Sequence, residues 1–158
     1  MSVAKVKEYL KKWNLDDKVI EFETSSATVA LAALALGVPE NRIAKTLSFK
    51  DKDERCILIV AAGDARVDNK KYKAEFGCKA KMLTPQEAID MTGHAVGGVC
   101  PFALPEGVDV YLDESLKRFE TVFPACGSAN SAIELTIEQL FQISGAKKWV
   151  DISKLAQD

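Results

Sequence analysis

Lys45 lies in the segment Ile43-Ala44-Lys45-Thr46-Leu47-Ser48-Phe49. Read as a strand, it puts Ile43, Lys45, Leu47 and Phe49 on one face and Ala44, Thr46 and Ser48 on the other. A cation on an apolar face has two readings. It is a lysine near a strand end that snorkels to water, or a fixed ammonium lining a pocket and aimed at a phosphate or carbonyl oxygen. The second feature is the loop Gly93-His94-Ala95-Val96-Gly97-Gly98-Val99-Cys100-Pro101-Phe102. Its paired glycines either merely turn the chain or let backbone N–H groups approach a ligand closely enough to stabilise an oxyanion. His94 and Cys100 raise a Cys/His nucleophile, but six residues of irregular loop fix no geometry and no third orienting residue is evident. The bland alternative is a histidine that hydrogen-bonds across its own loop. A third stretch, Gly127-Ser128-Ala129-Asn130-Ser131, is either an ordinary turn or a pocket wall with polar donors.

These residues need a frame to hold them. The chain has 158 residues, 47% apolar and 28% charged, with a net charge of -2, which suits one α/β domain over residues 1–158 and excludes a disordered tail protein. Folding at this size buries about two thirds of the unfolded surface, so neither disulfides nor a structural metal is required. The longest apolar run, residues 27–38, falls short of the ~18–20 residues of a membrane span. Residues 1–14 carry Lys5, Lys7, Lys11 and Lys12 on an amphipathic repeat with no signal-peptide core. The mature chain is therefore expected to begin where the sequence does, and to be cytoplasmic. Cys56, Cys78, Cys100 and Cys126 lack any C-x-x-C pair and have one histidine for company, which argues for reduced thiols and against zinc. The near-neutral charge does not advertise nucleic acid, yet gripping only an RNA end needs few phosphate contacts.

Helical spacing of Val3, Val6, Leu10 and Trp13 predicts an amphipathic helix ending near Asn14. A short strand over residues 19–22 precedes a helix over 27–36, capped by Ser25 or Ser26, stopped by Gly37 and Pro39, and apolar enough to be buried. Residues 43–49 and 57–61 read as a hairpin around a charged turn. Asp68 caps a helix through Phe76, and Thr84-Pro85-Gln86-Glu87 starts another. Further strands are expected over 79–82, 108–112, 121–125, 132–135 and 150–152, with a helix over 136–143.

Four segments in order resemble the YbaK/prolyl-tRNA synthetase-associated editing domain family over nearly the whole chain. They are residues 43–49, Ala62-Gly63-Asp64 with Asp68-Asn69-Lys70-Lys71, residues 92–102, and the loop and strand over 127–135. The resemblance implies a single compact domain with a mixed, mostly antiparallel curved sheet flanked by helices. It implies a freestanding aminoacyl-tRNA deacylase, a carboxylic ester hydrolase that clears mischarged tRNA in trans for translation quality control. The implied substrate is tRNA-Pro carrying a small amino acid such as cysteine or alanine, with no cofactor and no metal. The implied partners are the acceptor end of the tRNA and prolyl-tRNA synthetase in a ternary complex, with neither membrane nor DNA. The family's lysine matches Lys45, which would orient the ester or acceptor end. The G-x-x-x-P loop matches residues 97–101, where N–H groups around Gly97 and Gly98 would hold the carbonyl oxygen. Thr46, His94, Val99, Cys100, Pro101, Gly127 and Ser128 would touch substrate, His94 shaping the amino-acid pocket and Cys100 serving as wall. Substrate assistance, through the 2′-hydroxyl of the terminal adenosine or a cysteine thiol, would replace a dedicated side-chain base.

Two other readings stay open beside this one. The same fold could bind a charged tRNA end without hydrolysis, although retention of both Lys45 and the G-x-x-x-P loop favours the enzyme. A redox-sensitive protein built on Cys100 and Cys126 would need a thiol of depressed pKa or a specific disulfide. Amino-acid activation is excluded, since the chain is too short for a synthetase core and carries no phosphate-loop or dinucleotide fingerprint.

Overall fold

The computed structural model describes residues 2–95 and 97–155; Val96, inside the glycine loop, lies outside the described residues. In chain order the elements are α1 (Ser2–Leu10), β1 (Ile20–Glu21), α2 (Val29–Leu36), β2 (Ile43–Lys50), β3 (Cys56–Ala62), β4 (Ala65–Val67), α3 (Asn69–Phe76) and α4 (Pro85–Thr92). There follow β5 (Asp109–Asp113), β6 (Thr121–Pro124), β7 (Ser131–Ala132), β8 (Leu135–Thr136), α5 (Ile137–Ser144), β9 (Trp149–Val150) and β10 (Ser153–Leu155).

A six-stranded sheet in the order β8-β6-β2-β3-β5-β9 carries the molecule. At its centre β2 and β3 form the expected antiparallel hairpin, Lys45 opposite Ala61 and Thr46 opposite Val60. β6 joins β2 in parallel on one side, and β5 joins β3 in parallel on the other. Two small antiparallel pairs, β1 with β7 and β4 with β10, complete a mixed arrangement in which antiparallel ladders outnumber parallel ones four to three among the described residues.

Period-two alternation along the hairpin divides the core. Ala44, Leu58, Val60 and Ala62 join the larger cluster with α1, α4 and α5. Phe49, Ile57 and Ile59 pack on the opposite side against Tyr72 of α3. There Phe49, Tyr72, Phe76 and Tyr111 form a chain of tilted and edge-on rings with centroids 4.9 to 5.1 Å apart, the spacing aromatic pairs favour.

Asp113, fully buried, is satisfied at the end of β5 by the Ser115 N–H, the Ile152 N–H and the Ser153 hydroxyl. A buried carboxylate so bonded fixes β10, and through it β4.

The helix boundaries follow their caps. Thr84 and Glu87 make a reciprocal capping box on α4, Thr136 and Gln139 make another on α5, and Asp68 caps α3. α2 differs from expectation in two ways. Thr28 caps it, because Ser25 accepts from the Ala27 N–H and the Ser26 hydroxyl donates to the Ala129 carbonyl. Nor is it buried: Leu34 is 80% exposed, since Ile43 and Phe123 cover little beyond Ala32 and Ala33. The strand expected at 79–82 reduces to a bridge between Phe49 and Met82, and the one at 132–135 is split into β7 and β8. β4 and β10 were not anticipated, being three residues each and held by a distant partner.

Candidate active site

A cleft of about 360 Å³ opens between the start of α2, the first half of β2, α4 and the two loops over residues 93–105 and 125–131. The predicted residues Lys45, Thr46, Gly97 and Val99 line it.

Lys45 is half-buried and does not snorkel. Its Nζ donates to the Ala65 carbonyl and, at 3.4 Å, to the Gly63 carbonyl. An ammonium has three donors, so one remains for a ligand oxygen. Burial lowers the Lys45 pKa, and the neighbouring Asp64 carboxylate works against that fall. Asp64 accepts both terminal nitrogens of Arg118, at 3.0 and 2.6 Å, which holds its carboxyl below the usual range although partial burial opposes this. The turn that presents the two carbonyls also needs Gly63, because a Cβ there would sit 2.1 Å from the Glu40 carbonyl oxygen.

The glycine loop works differently from expectation. Gly97, at φ +90°, borders the cleft beside Ala27. Gly98 does not line it: its N–H is committed to the Ala95 carbonyl at 2.9 Å, so it is not a donor to a bound carbonyl oxygen. Instead Gly98 lets two loops touch, since a Cβ would lie 2.7 Å from the Ser128 backbone.

His94, Cys100, Pro101, Gly127 and Ser128 are likewise not among the residues that line the cleft. His94 and Cys100 are fully buried. His94 Nε2 donates to the Phe102 carbonyl at 2.9 Å; a carbonyl can only accept, so the proton resides on Nε2. That nitrogen then has no lone pair for the Cys100 thiol 3.5 Å away. Burial pushes the Cys100 thiol up to about 12, and Cys126 and Cys56 are also raised. A nucleophilic Cys/His pair and a low-pKa redox thiol both lack their chemical basis here. All four cysteines are free, and no group of three or more His, Cys, Asp or Glu among the described residues could hold a metal ion.

Sequence reasoning missed Ser48, Ala88 and the start of α2 as lining residues. Ser48 was within reach of the alternation that placed Thr46, being two positions on along the same strand. Arg118 and Asp64, 54 residues apart, left no such signal.

The sequence profile of the aminoacyl-tRNA editing domain matches residues 23–143. The Bacillus subtilis protein YwhH is 56% identical over 154 residues, 98% of each chain. EbsC of Enterococcus faecalis, provisionally named a Cys-tRNA(Pro)/Cys-tRNA(Cys) deacylase, is 27% identical over 142 residues, 89% of this chain and 81% of its own. A crystal structure provisionally described as a trans-editing enzyme for prolyl-tRNA synthetase superposes with a TM-score of 0.86 at 29% identity, over 97% of both chains. No helix among the described residues is long and apolar enough to cross a membrane.

Proposed function

The chain belongs to the aminoacyl-tRNA editing domain family, and from that premise we propose that it is a deacylase acting on the ester between a small non-cognate amino acid and the terminal adenosine of tRNA-Pro. The observation that carries the reading is an ammonium anchored by two carbonyls, with one donor left over, at a cleft walled by small residues.

In this reaction water adds to the ester carbonyl carbon, the bond to the ribose oxygen breaks, that oxygen takes a proton, and free amino acid leaves. The remaining Lys45 donor orients the ester or an acceptor-end oxygen, and the Gly97 N–H faces the carbonyl oxygen. Among the described residues Lys45 is the sole ionisable one in the lining, so the proton is handled by the substrate's own 2′-hydroxyl and water. Ala44, Ala88, Ala125 and Ala132 leave room for a small side chain while Ile43, Leu83 and Phe123 bound that room, so larger residues are rejected by clash, which is how a second hydrolytic sieve discriminates. Prolyl-tRNA synthetase is the proposed partner in a ternary complex, supplying tRNA contacts beyond the acceptor end.

The test is release of amino acid from tRNA-Pro charged with proline, alanine, cysteine or serine, by wild type and Lys45→Ala. Rapid loss of one non-cognate residue, absent in a folded Lys45→Ala variant, supports the proposal. Survival of every charged species, on tRNA-Pro and then on other tRNAs, while charged tRNA is still bound would replace it with a non-hydrolytic binding module.

A further inference from the structure

β4 and β10 form an antiparallel ladder in which Arg66 stands directly opposite Lys154. Both side chains are exposed, while Ala65 and Ser153 beside them are buried. Directly opposed residues share a face, so two cations lie side by side, an arrangement that repels and weakens a ladder. One charge suffices to guard an exposed strand edge, and a second of the same sign in register adds cost without protection. Nor is the pair neutralised. Asp64 and Asp68 flank β4 and Asp151 precedes β10, yet each is committed. Asp64 is held by Arg118, Asp68 accepts from the Lys70 and Lys71 N–H groups, and Asp151 pairs with Lys71. Among the described residues neither Arg66 nor Lys154 makes a side-chain hydrogen bond or an ion pair.

The pair is also fixed in place and next to the site. β10 is tied down by the Asp113 carboxylate, which accepts from the Ile152 N–H and the Ser153 hydroxyl, and by Lys71 Nζ, which donates to the Ser153 carbonyl at 2.9 Å. On the other strand, the Ala65 carbonyl that anchors Lys45 Nζ shares its peptide unit with the Arg66 N–H. The Arg66 charge reaches Lys45 as well: burial lowers the Lys45 pKa most, Asp64 raises it, and Arg66 lowers it further. The cleft lysine and the exposed pair thus share one cationic field. A substrate whose reacting end enters the cleft while a chain of phosphates trails from it matches that field. We infer that Arg66 and Lys154 grip backbone phosphates of the tRNA acceptor arm as its end enters the cleft. This rests on the deacylase reading above and names the surface that holds its substrate. A phosphate set between the two cations turns their repulsion into attraction, and a guanidinium can meet it with two parallel N–H donors. Phosphate contacts position a strand without reading its bases, so the pair sets affinity and orientation, not the choice of tRNA.

The experiment measures binding of uncharged tRNA-Pro across a salt series, so it does not depend on turnover. In Arg66→Gln combined with Lys154→Gln, the slope of log K against log salt is expected to become shallower by roughly 1.5, and affinity at low salt to fall about tenfold. Arg66→Lys keeps the slope. Arg66→Glu, which sets a carboxylate opposite Lys154, weakens RNA binding while Tm holds or rises, the reverse of what losing a structural contact does. A wild-type slope near zero, or a slope unmoved in the folded double variant, overturns the inference. A loss seen only with prolyl-tRNA synthetase present would make the pair a protein contact and overturn it too. Release of amino acid from charged tRNA is scored separately. Release with an unmoved slope overturns this inference and leaves the deacylase reading standing, and a shallower slope without release from any charged tRNA does the reverse.

Discussion

Half-burial draws the Lys45 pKa below its ordinary value of 10.5, and the Asp64 carboxylate is the largest influence holding it up. Asp64→Asn keeps the shape and removes the charge. Lys45 then loses its proton at lower pH, so the alkaline limb of the kcat/KM profile, corrected for spontaneous ester hydrolysis, moves toward neutrality. We expect kcat to fall by about tenfold to a hundredfold as the turn carrying the Gly63 and Ala65 carbonyls loosens. The partly exposed pair contributes only about 0–1 kcal/mol to stability, so Tm should barely change; a large loss of Tm would make the effect one of folding. Gly98→Ala tests the contact between the loops: forcing a Cβ against Ser128 should cost about 1–3 kcal/mol in urea unfolding. At this scale the sequence reveals chemistry where a local period exposes it, as in Lys45, a cation on the otherwise apolar face of its strand. It conceals what depends on burial in a loop. His94 and Cys100 are reactive types by composition, yet the fold buries both and ties His94 Nε2 to the Phe102 carbonyl.

α4 forms one wall of the cleft and is pinned at its start. Glu87 accepts from the Thr84 N–H within its capping box and also pairs with Lys50 at the end of β2. The Lys50 bond is the first cause, and the Thr84 backbone the second, that lowers the Glu87 pKa from 4.5 to about 2. A carboxylate depressed by folding stabilises the native state above its unfolded pKa, and that contribution disappears as pH falls through the folded value. Urea midpoints of wild type and Glu87→Gln should therefore differ most above pH 4.5 and converge as pH falls toward about 2; a constant difference would show that the ion pair is not its source. Both helices with a capping box were expected from the sequence, α4 on its capping signal within four residues and α5 on its stop at Gly145. The exposure of α2 was not. A helix apolar on all sides reads as buried, but its actual burial depends on how much sheet reaches it, and here Ile43 and Phe123 are all it meets in its buried cluster.

The whole molecule carries a net charge of -2, so attraction to RNA must come from a few local cations. If only the acceptor end is gripped, about three or four phosphates are contacted, and log K should fall with log salt at a slope of roughly -2 to -3. A much steeper slope, measured by filter binding across salt concentrations, would mean that the body of the tRNA is engaged. The α/β class was legible in the alternation of helical and strand periods, but the parallel pairings were not, because Ile43 meets Phe123 eighty positions away and no local pattern encodes that. The same topology bears on how the protein is made. The cleft draws on residues from Ser26 to Ala132, and β1 finds its partner only in β7. At about 5–20 residues per second, a ribosome releases the first of these roughly 5–20 s before the last. During that interval the β2–β3 hairpin has its sequence partner, but the cleft is missing a wall. Until Ala132 has emerged, the nascent chain therefore carries Lys45 beside an incomplete cleft.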